Sequence, residues 1–520
     1  MDPDHPQPPT AAATGGETER AAFLALQARL PGLFREVFRD PGAPRTVVVV
    51  PGLSLDAEVL AKVAGARHYE ERLLSMLMLL RLPRTRVVYV TSVPIAPVVV
   101  DYYLSLLSGV PADHARRRLV LLSAHDAGPG SLTAKLLARP RLLARIRMEL
   151  GDPDSAHLSV FNATADEVSL AVRLGIPMYA CDPVHGRWGG KSGSREAFRR
   201  AGIELAAGAE DLADLDAAAE AAAGLFARDA GLRRVVFKLN EGFSGDGNAV
   251  LDRKDVVDPT RAASVLEALP AALRMEAEDL PLARYGELFR RHGGIVEAWL
   301  DGEGKRSPSV QVRINPLGGL ELISSHDQVL AGRSGQVFQG STFPADPAYA
   351  VAIQERALAV AAVLRDEGVL GRFAVDFVSV PDGDGWRHRA IEINLRKGGT
   401  TLPFQMLQFL TNGVYDAASA TFLTPLGQPR HYYATDNLVH PRYRRLVPED
   451  LIDILVCNRL QFDETRLEGV VFNLIGAMSE FGKLGLVCIA DRPARAMALY
   501  RQAVEVLDRE AGADDARPCA

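Results

Sequence analysis

The sequence predicts a parallel α/β domain followed by an α+β region, and three observations lead to this fold class. Between residues 45 and 183, short Val- and Ile-rich runs alternate with helical stretches, which is typical of a parallel sheet covered by helices. From residue 233 onward, strands pair across turns and helices follow them, which indicates an α+β fold. The 520 residues, 48% apolar and 24% charged, suffice for three or four globular domains.

Composition and charge exclude several classes of protein. The net charge of −6 is weak for this length, so we expect neither a nucleic-acid partner nor recruitment to an anionic membrane. No apolar run is long enough to span a bilayer, and the first residues lack the pattern of a secretory signal. The four cysteines are scattered without a C-x-x-C pair, which fits neither a disulfide framework nor a zinc site. We therefore expect a cytoplasmic protein that acts on small molecules.

The amino-terminal part divides into a tail and a predicted α/β domain. Residues 1–20 are rich in Pro, Gly and Thr and predict a disordered tail, and residues 21–38 show helical apolar spacing. The domain as a whole is predicted to span residues 21–185. Its five predicted strands cover residues 46–50, 86–93, 118–124, 158–163 and 177–182. A dinucleotide site is not expected, because PGLSLD follows the first strand where that site needs a G-x-G-x-x-G fingerprint.

The α+β region is predicted to span residues 186–425. Its predicted elements are an Ala-rich helix at 211–227, a strand at 233–240, a glycine-bearing loop at 242–247, strands at 293–300 and 307–316, a helix at 348–367 and a hairpin at 373–394. Residues 426–520 predict a smaller carboxy-terminal α+β region. The sequence leaves open whether that region shapes an acceptor site or a dimer interface.

The predicted hairpin brings two carboxylates together. The runs FAVDFVSV and WRHRAIEIN flank the turn PDGDG, which is centred near residue 384. A hairpin symmetric about this point places Asp376 opposite Glu392, about 5 Å apart, with Asn394 on the same face as Glu392. Opposed carboxylates repel unless something positive lies between them, and oxygen ligands without histidine favour Mg²⁺. The alternative is a pair of solvated surface charges; the apolar strands and the polar run at 394–401 favour the site.

Only eight of the 59 basic residues are lysine, and two of these lysines lie in suggestive positions. Lys238 interrupts an apolar strand, where an ammonium without a partner is costly, and the loop after it can aim N–H groups at phosphate. A lysine on an edge strand beside a surface turn is the alternative. Lys191 belongs to a G-G-K-S segment, but the interval from Gly186 to Gly190 is one residue too short for a P-loop, which we therefore reject.

The order of these motifs resembles the ATP-grasp superfamily, in which two α+β lobes hold ATP between them. The motifs are the G-G-K-S segment, the lysine strand with its glycine loop, the strand I-V-E-A-W-L-D, and D…E-x-N-x-R. The preceding α/β domain resembles the pre-ATP-grasp domain of these enzymes. Three further stretches, ISSHDQVL with GQVFQG at 323–340, EINLRKGGTT at 392–401 and SEFGKLGLVCIADRP at 479–493, are similar to the pheganomycin-type peptide ligase group. Leu395 departs from the family, since many members have proline there.

The resemblance implies a role for each candidate site residue. Those that would contact the nucleotide are Lys191, Lys238, Ser244, Gly245, Gly247, Glu297, Ala298, Leu300, and, as alternative ribose acids, Asp301 and Glu303. Asp376, Glu392 and Asn394 match the magnesium ligands. Arg396 matches the arginine that steadies the transferred phosphate, and Arg313 is a further anion-binding candidate. His326 is open between a catalytic and a structural role.

The function implied is that of an ATP-dependent carboxylate–amine ligase of natural-product biosynthesis. It would convert a small-molecule acid into an acyl phosphate and join it to an amine, with release of ADP and phosphate. An amino acid or peptide is the expected substrate, and a homodimer is compatible with the carboxy-terminal region. Two alternatives stay open: an ATP-grasp enzyme that phosphorylates its substrate or acylates a non-amine acceptor, and a non-catalytic nucleotide-binding scaffold.

Overall fold

A computed structural model describes residues 11–55, 60, 63, 65–242, 247–277, 280–331 and 337–512. Three sheets follow one another along the chain: a four-stranded parallel sheet, a five-stranded antiparallel sheet and an eight-stranded antiparallel sheet. This order confirms the predicted change from α/β to α+β architecture. Among the described residues, no helix has the length and apolar character required to cross a membrane.

The first domain is built on a parallel sheet of four strands in the order β3-β2-β1-β4. The strands are β1 (Arg45–Val50), β2 (Thr85–Thr91), β3 (Leu119–Ser123) and β4 (Ala156–Val160). The predicted fifth strand at 177–182 is wrong, because only a single bridge joins Leu158 to Met178. The side chain of Gln27 bonds both backbone groups of Met178, at 2.8 Å and 3.0 Å, and so replaces a strand partner.

The predicted disordered tail is wrong for residues 11–20, while residues 1–10 lie outside the described part of the chain. A helix runs over Ala11–Gln27 and is followed by short helical turns at Leu30–Leu33 and Phe34–Phe38. Arg20 donates two hydrogen bonds to the carboxylate of Asp182, at 2.9 Å and 2.7 Å. This contact stabilises the segment through a residue 162 positions away, which local composition does not reveal.

Helices cover both faces of the parallel sheet, and buried aliphatic side chains fill the space between them. The α-helices are Pro97–Ser105, Ala112–Arg116, Leu132–Leu137, Pro140–Glu149 and Ala165–Leu174. Short 3₁₀ turns occur at Pro153–Ser155 and Pro183–Gly189. A longer 3₁₀ helix, Ala66–Arg81, connects the first two strands and carries side chains that reach the functional cleft.

The second sheet has the strand order β5-β9-β6-β7-β8. Its strands are β5 (Gly208–Leu212), β6 (Arg234–Leu239), β7 (Asn248–Asp252), β8 (Arg274–Met275) and β9 (Gly294–Ala298). The helices Leu215–Arg228, Ala262–Ala272 and Leu282–His292 supply a buried core against one face, and a 3₁₀ turn spans Arg253–Asp255. Side chains alternate along a strand, so the opposite face is left to line the cleft.

The third sheet has the strand order β14-β13-β10-β11-β12-β17-β19-β18. Its first strands are β10 (Pro308–Ile314), β11 (Leu320–Ala331), β12 (Val337–Phe343), β13 (Gly371–Asp382) and β14 (Gly385–Asn394). Two short strands, β15 (Val414–Asp416) and β16 (Thr421–Leu423), form a separate ribbon. The sheet is completed by β17 (His431–Val439), β18 (Gly469–Asn473) and β19 (Lys483–Ala490). The strands on either side of the predicted boundary at residue 425 therefore share one sheet.

The remaining helices pack around this third sheet. They are Lys191–Arg200, Ala350–Asp366, Thr401–Thr411, Pro448–Cys457, Met478–Phe481 and Pro493–Gly512, with 3₁₀ turns at Pro441–Arg445 and Ile475–Ala477. One buried cluster joins side chains of the Ala66–Arg81 helix, the Thr401–Thr411 helix and strands β17 to β19. The first domain and the carboxy-terminal region therefore share a hydrophobic core.

Three of the four cysteines lie within the described residues. Cys181 and Cys488 are free and buried, and burial raises the pKa of Cys181 to about 12. Cys457 is disulfide-bonded, which the scattered spacing of the cysteines did not predict. Sequence spacing recognises clustered cysteines, but it does not show which distant residues the fold brings together.

Candidate active site

A cleft of about 530 Å³ lies between the second and third sheets. Strands β6 and β9 form one side of it, and strands β10, β13 and β14 form the other. The Ala66–Arg81 helix and strands β17 and β19 close one end. Two lobes with a polar cleft between them match the arrangement that the motif order predicts.

The carboxylate pair lies in this cleft in the predicted register. Asp376 pairs with Glu392 across β13 and β14, and the strands are bulged immediately after this pair. The side-chain amide of Asn394 donates to Asp376 Oδ2 at 3.0 Å and to Glu392 Oε1 at 3.2 Å. The sequence predicted a positive group between the two acids. In the structure the neutral amide of Asn394 bridges them, and the ammonium of Lys191 forms an ion pair with Glu392.

The neighbouring strands supply two polar side chains to the same site that the sequence reading missed. Ser309 and Gln328 both hydrogen-bond to the carboxylate of Asp376, although burial outweighs these bonds and raises the pKa of Asp376. Ser309 lies opposite Asp376 in the register between β10 and β13. The available signal was the alternation of β10, which places Ser309 and Gln311 on one face.

Lys191 is held in the cleft by the helix that it begins. It is the first residue of Lys191–Arg200, and burial lowers its pKa to about 7, with a smaller contribution from the charge of Lys238. Ser192 bonds Asn240 Oδ1 through its amide at 2.9 Å and its hydroxyl at 2.8 Å. A 3₁₀ turn precedes the segment instead of a strand, which agrees with the rejection of a P-loop.

Lys238 and Glu297 form a buried ion pair on the opposite side of the cleft. Arg195, which the sequence reading did not single out, places Nη1 3.0 Å from Glu297 Oε2. The side chain of Glu297 is therefore neutralised by two cations. Ala298 and Leu300, the other predicted hinge residues, line the cleft directly.

The other residues predicted to contact the nucleotide either line the cleft, lie outside the described residues, or lie away from the cleft. Gly247 lines the cleft, while Ser244 and Gly245 lie outside the described residues. Asp301 lies away from the cleft lining because two arginines bind it, Arg233 at 3.2 Å and Arg234 more closely. Glu303 is exposed. Neither of the alternative ribose acids reaches the cleft in this conformation.

The three catalytic candidates are not brought together. Arg396 lines the cleft, where Nη2 donates to Asn394 Oδ1 at 3.1 Å. Arg313 instead pairs with Glu321, with Nε 2.6 Å from Oε2. It shares a face of β10 with Ser309 but lies four residues farther along the strand, which places it beyond the cleft lining.

His326 belongs to the core and not to the cleft. Its side chain is fully buried, and Nε2 lies 2.6 Å from the hydroxyl of Tyr432. The ring also packs at 5.3 Å from the ring of Phe343. Burial lowers the pKa of His326 to about 3, so the imidazole is neutral near physiological pH. Of the two open roles, the structure therefore favours the structural one.

Comparisons with known proteins agree with this geometry. A profile of IQCH-like ATP-grasp domains matches residues 281–418, and a profile of the PGM1 C-terminal domain matches residues 450–503. The L-propargylglycine–L-glutamate ligase of Streptantibioticus cattleyicolor is 30% identical over 480 residues, which cover 90% of this chain and 95% of the relative. The chain belongs to the ATP-grasp family of peptide ligases. This confirms the resemblance seen in the motifs.

Other relatives of this ATP-grasp ligase extend the comparison. IQ motif-containing protein H of Danio rerio is 21% identical over 91% of the chain, which spans about half (49%) of that longer protein. An ADP complex of N5-carboxyaminoimidazole ribonucleotide synthetase has a TM-score of 0.50 at 15% identity and covers 90% of this chain and 98% of its own. A biotin carboxylase–ATP complex from Campylobacter jejuni has a TM-score of 0.52 at 14% identity, and the match covers 89% of this chain and 91% of the carboxylase chain. These structures share the fold.

One end of the ATP-grasp cleft is formed by three charged side chains and a tyrosine. The sequence did not predict that these four residues are neighbours. Tyr69 and Arg72 come from the Ala66–Arg81 helix, Asp436 from β17 and Lys483 from β19. We call these four residues the charged wall. They lie in two regions more than 350 residues apart, so no local motif contains them. The scarcity of lysine was the one sequence signal that pointed to Lys483.

Proposed function

We propose that this protein is an ATP-dependent carboxylate–amine ligase that forms an amide bond through an acyl phosphate. The observation that carries the proposal is the convergence in one cleft of two lysines, a pair of carboxylates and an arginine: Lys191, Lys238, Asp376, Glu392 and Arg396. The name of the relative describes the joining of two amino acids, which supports amino acids or short peptides as substrates here.

We propose that Asp376, Glu392 and Asn394 hold Mg²⁺. The two carboxylates are hard donors suited to this ion, which usually takes few protein ligands and completes its shell with water and substrate phosphates. The amide oxygen of Asn394, which accepts from Arg396 in this structure, would turn toward the ion to add a third ligand. Glu392 already binds a cation, the ammonium of Lys191. Among the described residues, no cluster of three or more His, Cys, Asp and Glu side chains forms a complete metal cage. The bound ion would neutralise charge on the phosphates.

We propose that ATP lies along the second sheet. Ala298 and Leu300 offer an apolar surface and backbone groups at one part of the cleft, and Gly242 and Gly247 border it where the phosphates would lie. Lys238 and Lys191 line the same cleft and are proposed to bind the phosphates. Each is paired with a carboxylate in this conformation, so both are held in position before the nucleotide arrives.

The first chemical step transfers a phosphoryl group. A carboxylate oxygen of the acid attacks the γ-phosphorus of ATP, the bond between that phosphorus and the bridging oxygen of ADP breaks, and an acyl phosphate forms. The protein contributes chiefly position and positive charge, because phosphoryl transfer requires little covalent chemistry from side chains. Lys191 and Arg396 are the groups proposed to offset the charge on the phosphoryl oxygens.

The second step forms the amide. The amine nitrogen attacks the acyl carbon, the carbon–oxygen bond to phosphate breaks, and one proton leaves the nitrogen. Arg396 is proposed to stabilise the oxyanion of the tetrahedral intermediate, since its guanidinium lies next to the carboxylate pair. His326 is not proposed as the base, because it is enclosed in the core.

The proposal is tested by measuring ADP and phosphate release with Mg²⁺, ATP and pools of L-amino acids that include L-propargylglycine and L-glutamate. The expected result is release that requires both an acid and an amine, with a product lighter than their sum by one water. A stable phosphorylated product formed without an amine would instead identify a phosphotransferase. Failure of the full-length chain to bind ATP would contradict the whole assignment.

A further inference from the structure

Within the part of the chain that the structure describes, the charged wall contains one more cation than carboxylate. Arg72 and Lys483 face the cleft together with a single carboxylate, that of Asp436. All three groups are largely withdrawn from water: Lys483 is 8% exposed, and the side chains of Arg72 and Asp436 are 11% and 14% exposed. Buried charges are expensive unless paired, so a wall with an excess of one positive charge is complementary to an anion.

Arg72 has unused hydrogen-bonding capacity. Its Nη2 pairs with Asp436 Oδ2, and its guanidinium carbon lies 3.8 Å from the centre of the Tyr69 ring. Phe161 lies on another side, with its ring centre at 5.8 Å. The buried Nε has no hydrogen-bond partner within the part of the chain that the structure describes. The aromatic contacts fix the orientation of the Arg72 guanidinium, whose remaining N–H groups can still bind a carboxylate.

Lys483 has no carboxylate partner among the described residues. Its ammonium donates to the hydroxyl of Tyr69 at 2.6 Å and lies 5.0 Å from the centre of that ring. By contrast, Lys191 and Lys238, two other lysines of the cleft, each form an ion pair with a glutamate. A buried ammonium held only by a phenol retains two donors for a ligand.

The wall lies beside the proposed reaction centre. Arg72 and Arg396 line the same cleft, and Arg72 and Asp436 also border a small cavity with Gly398 and Gly399, which closely follow Arg396 in the chain. The nucleotide-facing strands β6 and β9 lie on another side of the cleft. A substrate that reaches Arg396 from the charged wall therefore approaches from outside the ATP site.

Asp436 adds a group of opposite sign. Its Oδ2 accepts from Arg72, which leaves Oδ1 able to accept from a ligand amine. A wall that carries two cations and one carboxylate is complementary to a molecule that carries both a carboxylate and an amine. An α-amino acid has this combination, whereas a simple amine lacks the carboxylate.

We propose that Arg72 and Lys483 bind the free carboxylate of an α-amino acid that supplies the attacking amine, and that Asp436 orients this amine. The inference rests on the proposed ligase function and extends it. It gives the leading domain and the carboxy-terminal region a shared role, because both are needed to select amino acids over simple amines. Lys483 also lies within the residues matched by the PGM1 C-terminal domain profile.

The test uses the full-length chain loaded with ADP and titrated by calorimetry with each of the twenty protein L-amino acids. The tightest ligand is then compared with its own α-carboxamide, which keeps the amine but removes the negative charge. For the wild type we expect at least about tenfold preference for the free acid, the size of one charged hydrogen bond. Lys483→Met should reduce this preference to about twofold or less, and Lys483→Arg should restore most of it.

Two controls separate this inference from structural damage and from the ligase proposal. Lys254→Met removes one exposed lysine away from the cleft, and both the ADP affinity and the preference should stay as in the wild type. A preference that persists in Lys483→Met would overturn the inference, as would ADP binding without binding of any amino acid. Failure to bind ADP would instead overturn the ligase proposal.

The structure of the product shows whether the amino acid bound by the charged wall supplies the amine or the acyl group. In the proposed arrangement, the amino acid whose affinity depends on Lys483 keeps a free carboxylate in the product, and fragmentation by mass spectrometry should show it at the carboxy-terminal side of the new amide. If that amino acid is found on the acyl side, the charged wall binds the activated substrate, and the assignment to the amine-supplying amino acid is wrong.

Discussion

At the scale of single residues, Glu392 links Asp376, its partner across the hairpin, to Lys191, which we propose to bind phosphate. We expect Glu392→Gln to lower the turnover number at least about 100-fold, because it removes one proposed metal-binding charge and the partner of Lys191. Far-ultraviolet circular dichroism should be unchanged. Glu355→Gln, on an exposed position of the Ala350–Asp366 helix, is the matched control in the ADP-release assay. Near-normal activity of Glu392→Gln would refute the metal assignment.

Glu70 predicts a pH dependence of stability. Burial raises the pKa of Glu70 to about 7, although Ser92 bonds the carboxylate through its amide and its hydroxyl, both at 2.6 Å, and Lys135 lies nearby. Because the folded pKa lies above the unfolded one, the contribution is complete below about pH 4.5 and is lost as the pH rises through about 7. Its full size is about 3 kcal/mol.

Glu70→Gln should remove this dependence. Denaturant unfolding of wild type and variant, measured between pH 5 and 8, should show the wild type losing stability relative to the variant as the pH rises. The variant has no carboxyl to ionise at this position, so the difference isolates one group from all others. A constant difference across the range would mean that Glu70 keeps an ordinary pKa in the folded protein.

The side chains show how far sequence reasoning extends at this scale. The sequence predicted Asp376 opposite Glu392, and the pair is observed, but for a reason that the sequence did not show. The turn alone would place Asp376 opposite Ile391, and the bulge between Asp376 and Phe377 shifts the register by one residue to Glu392. Arg313 was an anion-binding candidate by its place in the motif order, and the sequence did not show that it lies beyond the cleft lining. The burial of His326 depends on Tyr432, which is 106 residues away, so its local polar sequence was misleading.

At the scale of elements, the Lys191–Arg200 helix positions a cleft lysine by close packing. A side chain at Gly193 would place its Cβ 2.0 Å from the carbonyl oxygen of Arg187, so only glycine permits the observed approach. We expect Gly193→Ala to displace the helix, lower stability by about 1–3 kcal/mol and weaken ATP binding. Thermal unfolding and calorimetry measure the two effects.

Gly186→Ala is the matched control for this helix, because nothing lies within 4 Å of a Cβ at that position. It should leave both stability and ATP affinity close to the wild type. If Gly193→Ala behaved in the same way, the packing explanation for the second half of the G-G-K-S-G segment would fail. The sequence suggested a special role for this segment, but the contact partner, a backbone carbonyl six residues earlier, required the structure.

At the scale of the whole molecule, the carboxy-terminal region completes the third sheet and is therefore not an independent domain. Strand β12 pairs with β17, and β17 pairs with β19. We expect a chain ending at residue 425 to lose cooperative folding, because truncation would expose the edge of β12 and the shared core that includes Leu77 and Leu407. A soluble fragment that unfolds cooperatively and binds ATP would contradict this expectation.

The sequence predicted the order of the domains but not how they close around the cleft. Alternating patterns reveal a strand or helix locally, and motif order suggested the family. The meeting of Tyr69 with Lys483, which are 414 residues apart, depends on the assembled core. For this reason the sequence offered only an acceptor site as one open role of residues 426–520, and it could not predict the residues of the charged wall, which we propose to select the amino acid.

The central claim is that the cleft activates a carboxylate by phosphorylation, and an oxygen-isotope tracer tests it most directly. An acid substrate with ¹⁸O at both carboxylate positions is incubated with ATP, Mg²⁺ and the amine. The masses of the products are then measured by mass spectrometry. The account predicts one ¹⁸O in the inorganic phosphate, one in the amide, and ADP as the nucleotide product. Unlabelled phosphate, or ¹⁸O in AMP, would contradict an acyl phosphate.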